Sequence, residues 1–277
     1  MRVPLLLLAA LVPAVQGRPA SPQVYKKTAQ TDLQIHLTFP DDWKPGDRRP
    51  AIVFFFGGGW TFGTVEQFVP QATYLAKRGM VAARADYRVK SRHQVAPDAC
   101  VEDAKSAVRW LRKNAADLGI DPDRIVAAGG SAGGHLAACT GTVPGFDAAG
   151  EDVSISSKPN AMVLFNPVLH ADPLVQRMPD AELAKKITPN LRLEKGLPPA
   201  LILFGTMDPL MVGANDYIAK AKELGGVAEL YTADGQAHGF FNKPPWQERT
   251  LYRADEFLAG LGYLQGKPTL ELPKSEK

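Results

Sequence analysis

The sequence predicts an α/β fold, a mostly parallel central sheet with helices on both faces. Two observations predict it. Apolar runs of strand length alternate with longer segments whose apolar residues recur at helical spacing, and turn-forming residues stand between them. The chain length of 277 residues, with 45% hydrophobic and 22% charged residues, suits one domain of the larger size.

In chain order, strands are expected at about Gln34–Phe39, Ala51–Phe56, Val81–Ala85, Arg124–Ala128, Ala161–Phe165, Ala200–Phe204 and Val227–Tyr231. Helical spacing marks Phe68–Arg78, Pro97–Ala116, Ala132–Cys139, Gly213–Leu224 and Thr250–Leu264. Pro97 suits a first helical turn, and Asp121-Pro122-Asp123 and Gly225-Gly226 read as turns. Two stretches break the alternation, Thr140 to Pro159 and Leu169 to Leu197. The second carries a helix-like piece, Pro179 to Ile187, and is the candidate cap insertion (169–197) over a site at the sheet's edge.

Arg2 followed by the apolar run Leu5 to Val12 reads as a secretory signal, too short to span a bilayer, with Val15-Gln16-Gly17 suited to cleavage after Gly17. The expectation is a signal peptide at 1–17 and a single domain at 18–277, secreted or periplasmic, with no stable membrane insertion and no large N-terminal cap. A net charge of +3 from 32 basic and 29 acidic residues, without like-charge blocks, argues against a nucleic-acid partner. Cys100 and Cys139 are the only cysteines; in an oxidising compartment they are either bridged or buried, and their positions on adjacent helices are expected to bring them within bridging distance.

The chemistry is concentrated at four strand ends. Gly129-Gly130-Ser131-Ala132-Gly133 is a G-x-S-x-G between a strand and a helix, where a sharp turn lifts the Ser131 hydroxyl out of the sheet and tolerates no bulk two residues either side. The amide of Ala132 opens a helix, where the dipole favours an anion. Phe56-Gly57-Gly58-Gly59-Trp60 follows another strand, and its glycines let backbone N–H groups converge on a tetrahedral oxyanion; Gly58 and Gly59 are the expected donors with Ala132. A phosphate loop would need Gly-Lys-Ser/Thr next, and Trp60-Thr61-Phe62 does not supply it.

A serine hydroxyl is a poor nucleophile at neutral pH. A base must take its proton, and an acid must hold that base in the right tautomer. Asp208 follows the strand Ala200–Phe204 and His238 follows Val227–Tyr231, so the order Ser131, Asp208, His238 is that of the α/β-hydrolase fold. Asp234, nearer His238 in sequence, is the rival acid. His135 is expected in packing or a hydrogen bond; His36, His93 and His170 lack a second ligand at metal spacing, so neither metal nor cofactor is expected. Asp86-Tyr87-Arg88 reads as a structural ion pair. Among the aromatics Trp60, Phe62, Phe240, Phe241 and Trp246, the expected pocket walls are Trp60 and Phe241.

Gly-Gly-Gly-Trp, Asp-Tyr-Arg, the helix Asp103 to Leu111, Gly-Gly-Ser-Ala-Gly-Gly-His-Leu-Ala and His-Gly-Phe together resemble the esterase/lipase family related to hormone-sensitive lipase, over essentially the whole mature chain. Within it, the chain is similar to bacterial secreted carboxylesterases, including feruloyl and acetyl-xylan esterases. The resemblance implies an α/β-hydrolase fold, the triad Ser131, His238 and Asp208, and an ester substrate, either a small molecule or acyl groups on a polysaccharide. Phe56 stands where the family usually has His before the glycines, which removes an expected brace of the loop but not the backbone donors. The competing functions are a serine peptidase of the same fold and a non-catalytic binding module.

Overall fold

The computed structural model describes residues 17–272, so the expected signal segment, apart from Gly17, lies outside the described residues. The strands are Gln23–Lys27 (β1), Asp32–Thr38 (β2), Arg49–Phe55 (β3), Val81–Ala85 (β4), Ile120–Gly130 (β5), Ala161–Phe165 (β6), Ala200–Gly205 (β7) and Ala228–Ala233 (β8). Among the described residues these eight form one sheet in the order β1-β2-β4-β3-β5-β6-β7-β8. β2 pairs antiparallel with β1 and β4; every other pairing is parallel. β1 escapes sequence pattern because it is a polar edge strand in which only Tyr25 is buried.

The helices are Val69–Lys77 (α1), Lys90–His93 (α2), Pro97–Lys113 (α3), Ala115–Leu118 (α4), Ala132–Thr142 (α5), Asp172–Val175 (α6), Ala181–Lys186 (α7), Val212–Glu223 (α8) and Trp246–Gly260 (α9). The helix expected over Pro97–Ala116 breaks at Asn114, whose side-chain amide donates to the carbonyl of Trp110 at 2.7 Å and ends α3. Asp121-Pro122-Asp123, expected as a turn, lies within β5, where the pairing with β3 shifts register between Arg49 and Ala51.

Alternation along β3 divides the core. Ala51, Val53 and Phe55 face the cluster under α3, α5 and α8, while Ile52 and Phe54 face the cluster under α1 and α9. Both faces of the central strands are therefore dry, as in doubly covered parallel sheets, and each large apolar side chain buried there contributes roughly 1.5–3 kcal/mol. Because β4 and β5 lie on opposite sides of β3, the chain reverses direction across the sheet between β3 and β5. Such a switch point opens a crevice at the strands' C-terminal ends.

Charges inside this frame are paired. Arg88 binds Asp103 and Glu102, and Asp103 also accepts from Lys26; Arg92 pairs with Asp86, and the Tyr87 hydroxyl donates to the Phe56 carbonyl at 2.7 Å. Asp86-Tyr87-Arg88 is thus framework behind the crevice. Of the two expected states, bridged or buried, Cys100 and Cys139 are buried free thiols. Each already has a carbonyl partner, Cys100 Sγ donating to Arg88 at 3.0 Å and Cys139 Sγ to Ile187 at 3.3 Å, and burial pushes both thiol pKa values well up.

Candidate active site

Ser131 sits between β5 and α5 with φ 54° and ψ −116°, a left-handed conformation that costs a non-glycine residue about 1–3 kcal/mol. Its amide donates to the Phe165 carbonyl at 2.9 Å and its carbonyl accepts from His135 at 2.9 Å, so β6 and α5 hold the strained turn. The space beside it is closed: a Cβ at Gly129 or Gly133 would collide with the backbone of Gly133 and of Phe55 respectively. Small residues two positions either side of Ser131 are a packing requirement here.

The imidazole of His238 reaches back from the loop after β8. Its Nε2 lies 2.8 Å from Ser131 Oγ, and its Nδ1 lies 2.6 Å from Asp208 Oδ2. With Nδ1–H donated to the carboxylate, Nε2 is left as the acceptor for the serine hydroxyl. Asp208 has no exposed side-chain surface, whereas the His238 side chain is 40% exposed. The second oxygen of Asp208 accepts from the Leu210 amide at 3.0 Å, capping the turn Pro209–Met211 and fixing the carboxylate's plane. Asp234 is exposed and occupied elsewhere, accepting from Thr206 Oγ1 at 3.2 Å. Of the two rival acids the structure brings Asp208 to the histidine.

The glycine loop after β3 is held against this group, since β3 and β5 pair directly, Phe55 opposite Gly129. Gly58 has φ +123°, and a side chain there would strike the Phe62 carbonyl, so only glycine permits this turn. Among the described residues the amides of Gly58, Gly59 and Ala132 donate to no protein acceptor. Three preorganised N–H groups near a serine are what a developing oxyanion needs.

Sequence reasoning missed the residues that steady the loops. Gln67 Oε1 accepts from the Gly57 amide at 2.6 Å, and Gln67 Nε2 donates to Asn242 Oδ1 at 2.9 Å. Asn242 in turn donates to the Gly239 carbonyl at 3.0 Å, so one polar chain ties the glycine loop to the histidine loop. This is the bracing that Phe56 does not provide. Asn166, directly after β6 with φ 36°, accepts from the Gly239 amide at 3.2 Å. None of these three positions stands out in a single sequence, because Gln and Asn at loop edges are common and their partners are far away in sequence.

The expected pocket walls fare differently. Trp60 is almost fully buried; it lines a cavity of about 510 Å³ beside Gly59, and its Nε1 donates to His135 Nδ1 at 3.2 Å. Phe241 is not a wall. It is 1% exposed, packed against Phe68 and Phe165 directly below Gly130, where the elbow needs support. His135 is framework as expected, its Nε2 2.8 Å from the Ile187 carbonyl, and burial lowers its pKa to about 4. His93 Nδ1 accepts from the Val89 amide, and no group of three or more metal-binding side chains occurs among the described residues. The segment 169–197 carries α6, α7 and the turn Pro189–Leu191; Ile187 anchors it to α5, and Arg177 reaches Gly59. No described helix is long and apolar enough to cross a membrane.

The chain is similar to known proteins along most of its length. The BD-FAE family matches residues 39–168. Carboxylesterase NlhH of Mycobacterium tuberculosis is 28% identical over 236 residues, 76% of this chain and 72% of that protein. Among solved structures, Thermogutta terrifontis esterase 2 phosphorylated by paraoxon is 49% identical with a TM-score of 0.85, covering 89% of this chain and 96% of that one. The propionate-bound esterase of the same planctomycete is 47% identical with a TM-score of 0.84, covering 92% of this chain and 98% of that one. With nearly half its residues shared along almost the full length of a solved esterase, the chain belongs to the serine carboxylesterases of the α/β-hydrolase family related to hormone-sensitive lipase.

Proposed function

We propose that Ser131, His238 and Asp208 are the catalytic triad of this carboxylesterase, that Gly58, Gly59 and Ala132 bind the oxyanion, and that the enzyme is exported and prefers short acyl groups or flat aromatic acids, including those carried on carbohydrate. The observation that carries the proposal is the pair of contacts at His238, 2.8 Å to Ser131 Oγ and 2.6 Å to Asp208 Oδ2. As Ser131 Oγ attacks the ester carbonyl, its proton passes to His238 Nε2, and the buried Asp208 carboxylate stabilises the imidazolium. The carbonyl oxygen becomes an oxyanion facing the three free amides. Collapse expels the alcohol with the proton from His238, leaving an acyl group on Ser131. Water, deprotonated by the same imidazole, then releases the acid.

Short acyl specificity is supported by the exposed histidine, by the burial of Phe241 beneath Gly130 instead of along the crevice, and by the modest size of the 169–197 segment. Each methylene of a long chain contributes only about 0.8 kcal/mol and only if removed from water, which an open crevice does not do. The similar esterase that holds propionate agrees with this size. For an aromatic acid the available surface is that of Trp60. Export rests on residues 1–17 and is tested by N-terminal sequencing of protein from the medium or periplasm, where a start at Arg18 is expected. A fluorophosphonate probe should add its mass to Ser131 and to no other residue, and nitrophenyl esters should be turned over best from acetate to butyrate. Labelling elsewhere would overturn the triad, and efficiency rising steadily to palmitate would overturn the open crevice.

A further inference from the structure

The cavity beside Gly59 has a composition that the ester chemistry does not require. Its lining includes Gly59 and Trp60 from the glycine loop, Lys90 at the start of α2, Pro97 at the start of α3, and Arg177 from the 169–197 segment; it holds two cations and no aspartate or glutamate. Arg88 and Arg109, which line other cavities, are paired, Arg88 with Asp103 and Glu102, and Arg109 with Asp147 and Glu151. Here neither cation has an acidic partner within the lining.

Arg177 is also held in place. Its guanidinium lies over the Trp60 ring at 5.7 Å, and one nitrogen donates to the Pro173 carbonyl at 3.0 Å. The remaining edge of the fork comes within 4 Å of the Cβ position of Gly59, next to a proposed oxyanion donor. Lys90 is tied to the same loop, its amide donating to the Trp60 carbonyl at 2.9 Å. A planar guanidinium with two free donors, in a cavity that a lysine also lines, recognises a carboxylate, and stacking on an aromatic ring costs it none of that capacity.

We propose that this cavity is a subsite for a carboxylate on the substrate, so that esters bearing an acid group on their acyl or alcohol portion are selected over neutral ones. The inference rests on the serine-esterase reading of the neighbouring site. Loss of a hydrogen-bonded charge pair here should be worth about tenfold in kcat/KM, expressed mostly in KM, since the group lies outside the reacting atoms.

Two matched pairs of substrates test it with the native enzyme. In the acyl arm, the nitrophenyl hemiglutarate ester is compared with the nitrophenyl valerate ester; in the alcohol arm, meta-acetoxybenzoate is compared with meta-acetoxybenzamide. In at least one arm the acidic ester is expected to exceed its neutral partner by about tenfold, with the advantage shrinking in about 0.5 M salt. The responding arm identifies which half of the ester carries the acid. Arg177→Gln and Lys90→Gln should each reduce the acidic-to-neutral ratio, Arg177→Lys should restore part of it, and Arg177→Glu should invert it. Both residues are exposed, so folding is not at stake. A ratio near one in both arms, or a ratio unmoved by these substitutions, overturns the subsite while leaving the esterase intact. Failure to turn over even the neutral esters removes the reading of the site itself, and the subsite with it.

Discussion

The indole of Trp60 donates to Nδ1 of His135 across 3.2 Å, so the glycine loop is pinned to the helix that begins at the elbow serine. The opposite nitrogen of the same ring faces the Ile187 carbonyl at 2.8 Å, which adds the 169–197 segment to the joint. One neutral imidazole therefore holds three segments, and it does so only as the Nε2–H tautomer.

That joint predicts an acid sensitivity. Burial lowers the His135 pKa from 6.5 to about 4, so the unfolded chain binds the extra proton first as pH falls. Stability should be full above pH 6.5 and should decline as pH drops toward about 4, by about 3 kcal/mol from this group. Denaturant midpoints measured across that window should fall less steeply in His135→Gln than in the native enzyme. Parallel slopes would remove His135 as the cause.

The two aspartates near the histidine separate cleanly. Asp208→Asn should lower kcat by about three to four orders of magnitude, since the amide would hold the imidazole in the wrong tautomer. Asp234→Asn should stay within about threefold, because Asp234 contacts only Thr206 among the groups in question. Steady-state kinetics on nitrophenyl acetate rank them, and the reverse order would place the acid at Asp234.

Gln67 and Asn242 predict a coupled defect. Either Gln67→Ala or Asn242→Ala breaks the chain between the two loops, and each should reduce kcat by about tenfold with a small change in KM. The double variant should be little worse than either alone. Additive losses in the cycle would show that the two act separately.

Gly130 and Phe241 predict a suppressor. A methyl group at Gly130 would run into the Phe241 ring, so Gly130→Ala should destabilise the fold by about 1–3 kcal/mol and reduce activity. Phe241→Leu in that background should recover part of the loss. Thermal unfolding and kinetics on the three variants check this, and no recovery would mean that the ring is not the obstacle.

Where pattern and chemistry are local, the sequence was readable. β4 and β6 lie where apolar runs end in turn residues, and Ser131 was identifiable because strand, glycines and helix are contiguous. Chain order alone favours Asp208 over Asp234, and Asp208 is the one in contact with His238. What stayed illegible depends on distant partners. β1 has no apolar run and exists by pairing with β2, Phe241 reads as a loop aromatic in sequence but packs beneath Gly130, and the cysteines meet carbonyls that no spacing rule locates. Gln67 could be valued only once Asn242, 175 residues away, was seen beside it.

That separation bears on when the enzyme becomes active. Ser131 must wait for His238, 107 residues later, and the glycine loop must wait for Asn242. Contacts this remote in sequence close late, after the intervening strands have paired. On the proposed triad, a chain emerging from the ribosome therefore carries an inert serine until its final third has folded. Hydrolysis would then be a readout of finished synthesis, and a nascent chain stopped before residue 238 should expose its elbow to ester without cleaving it.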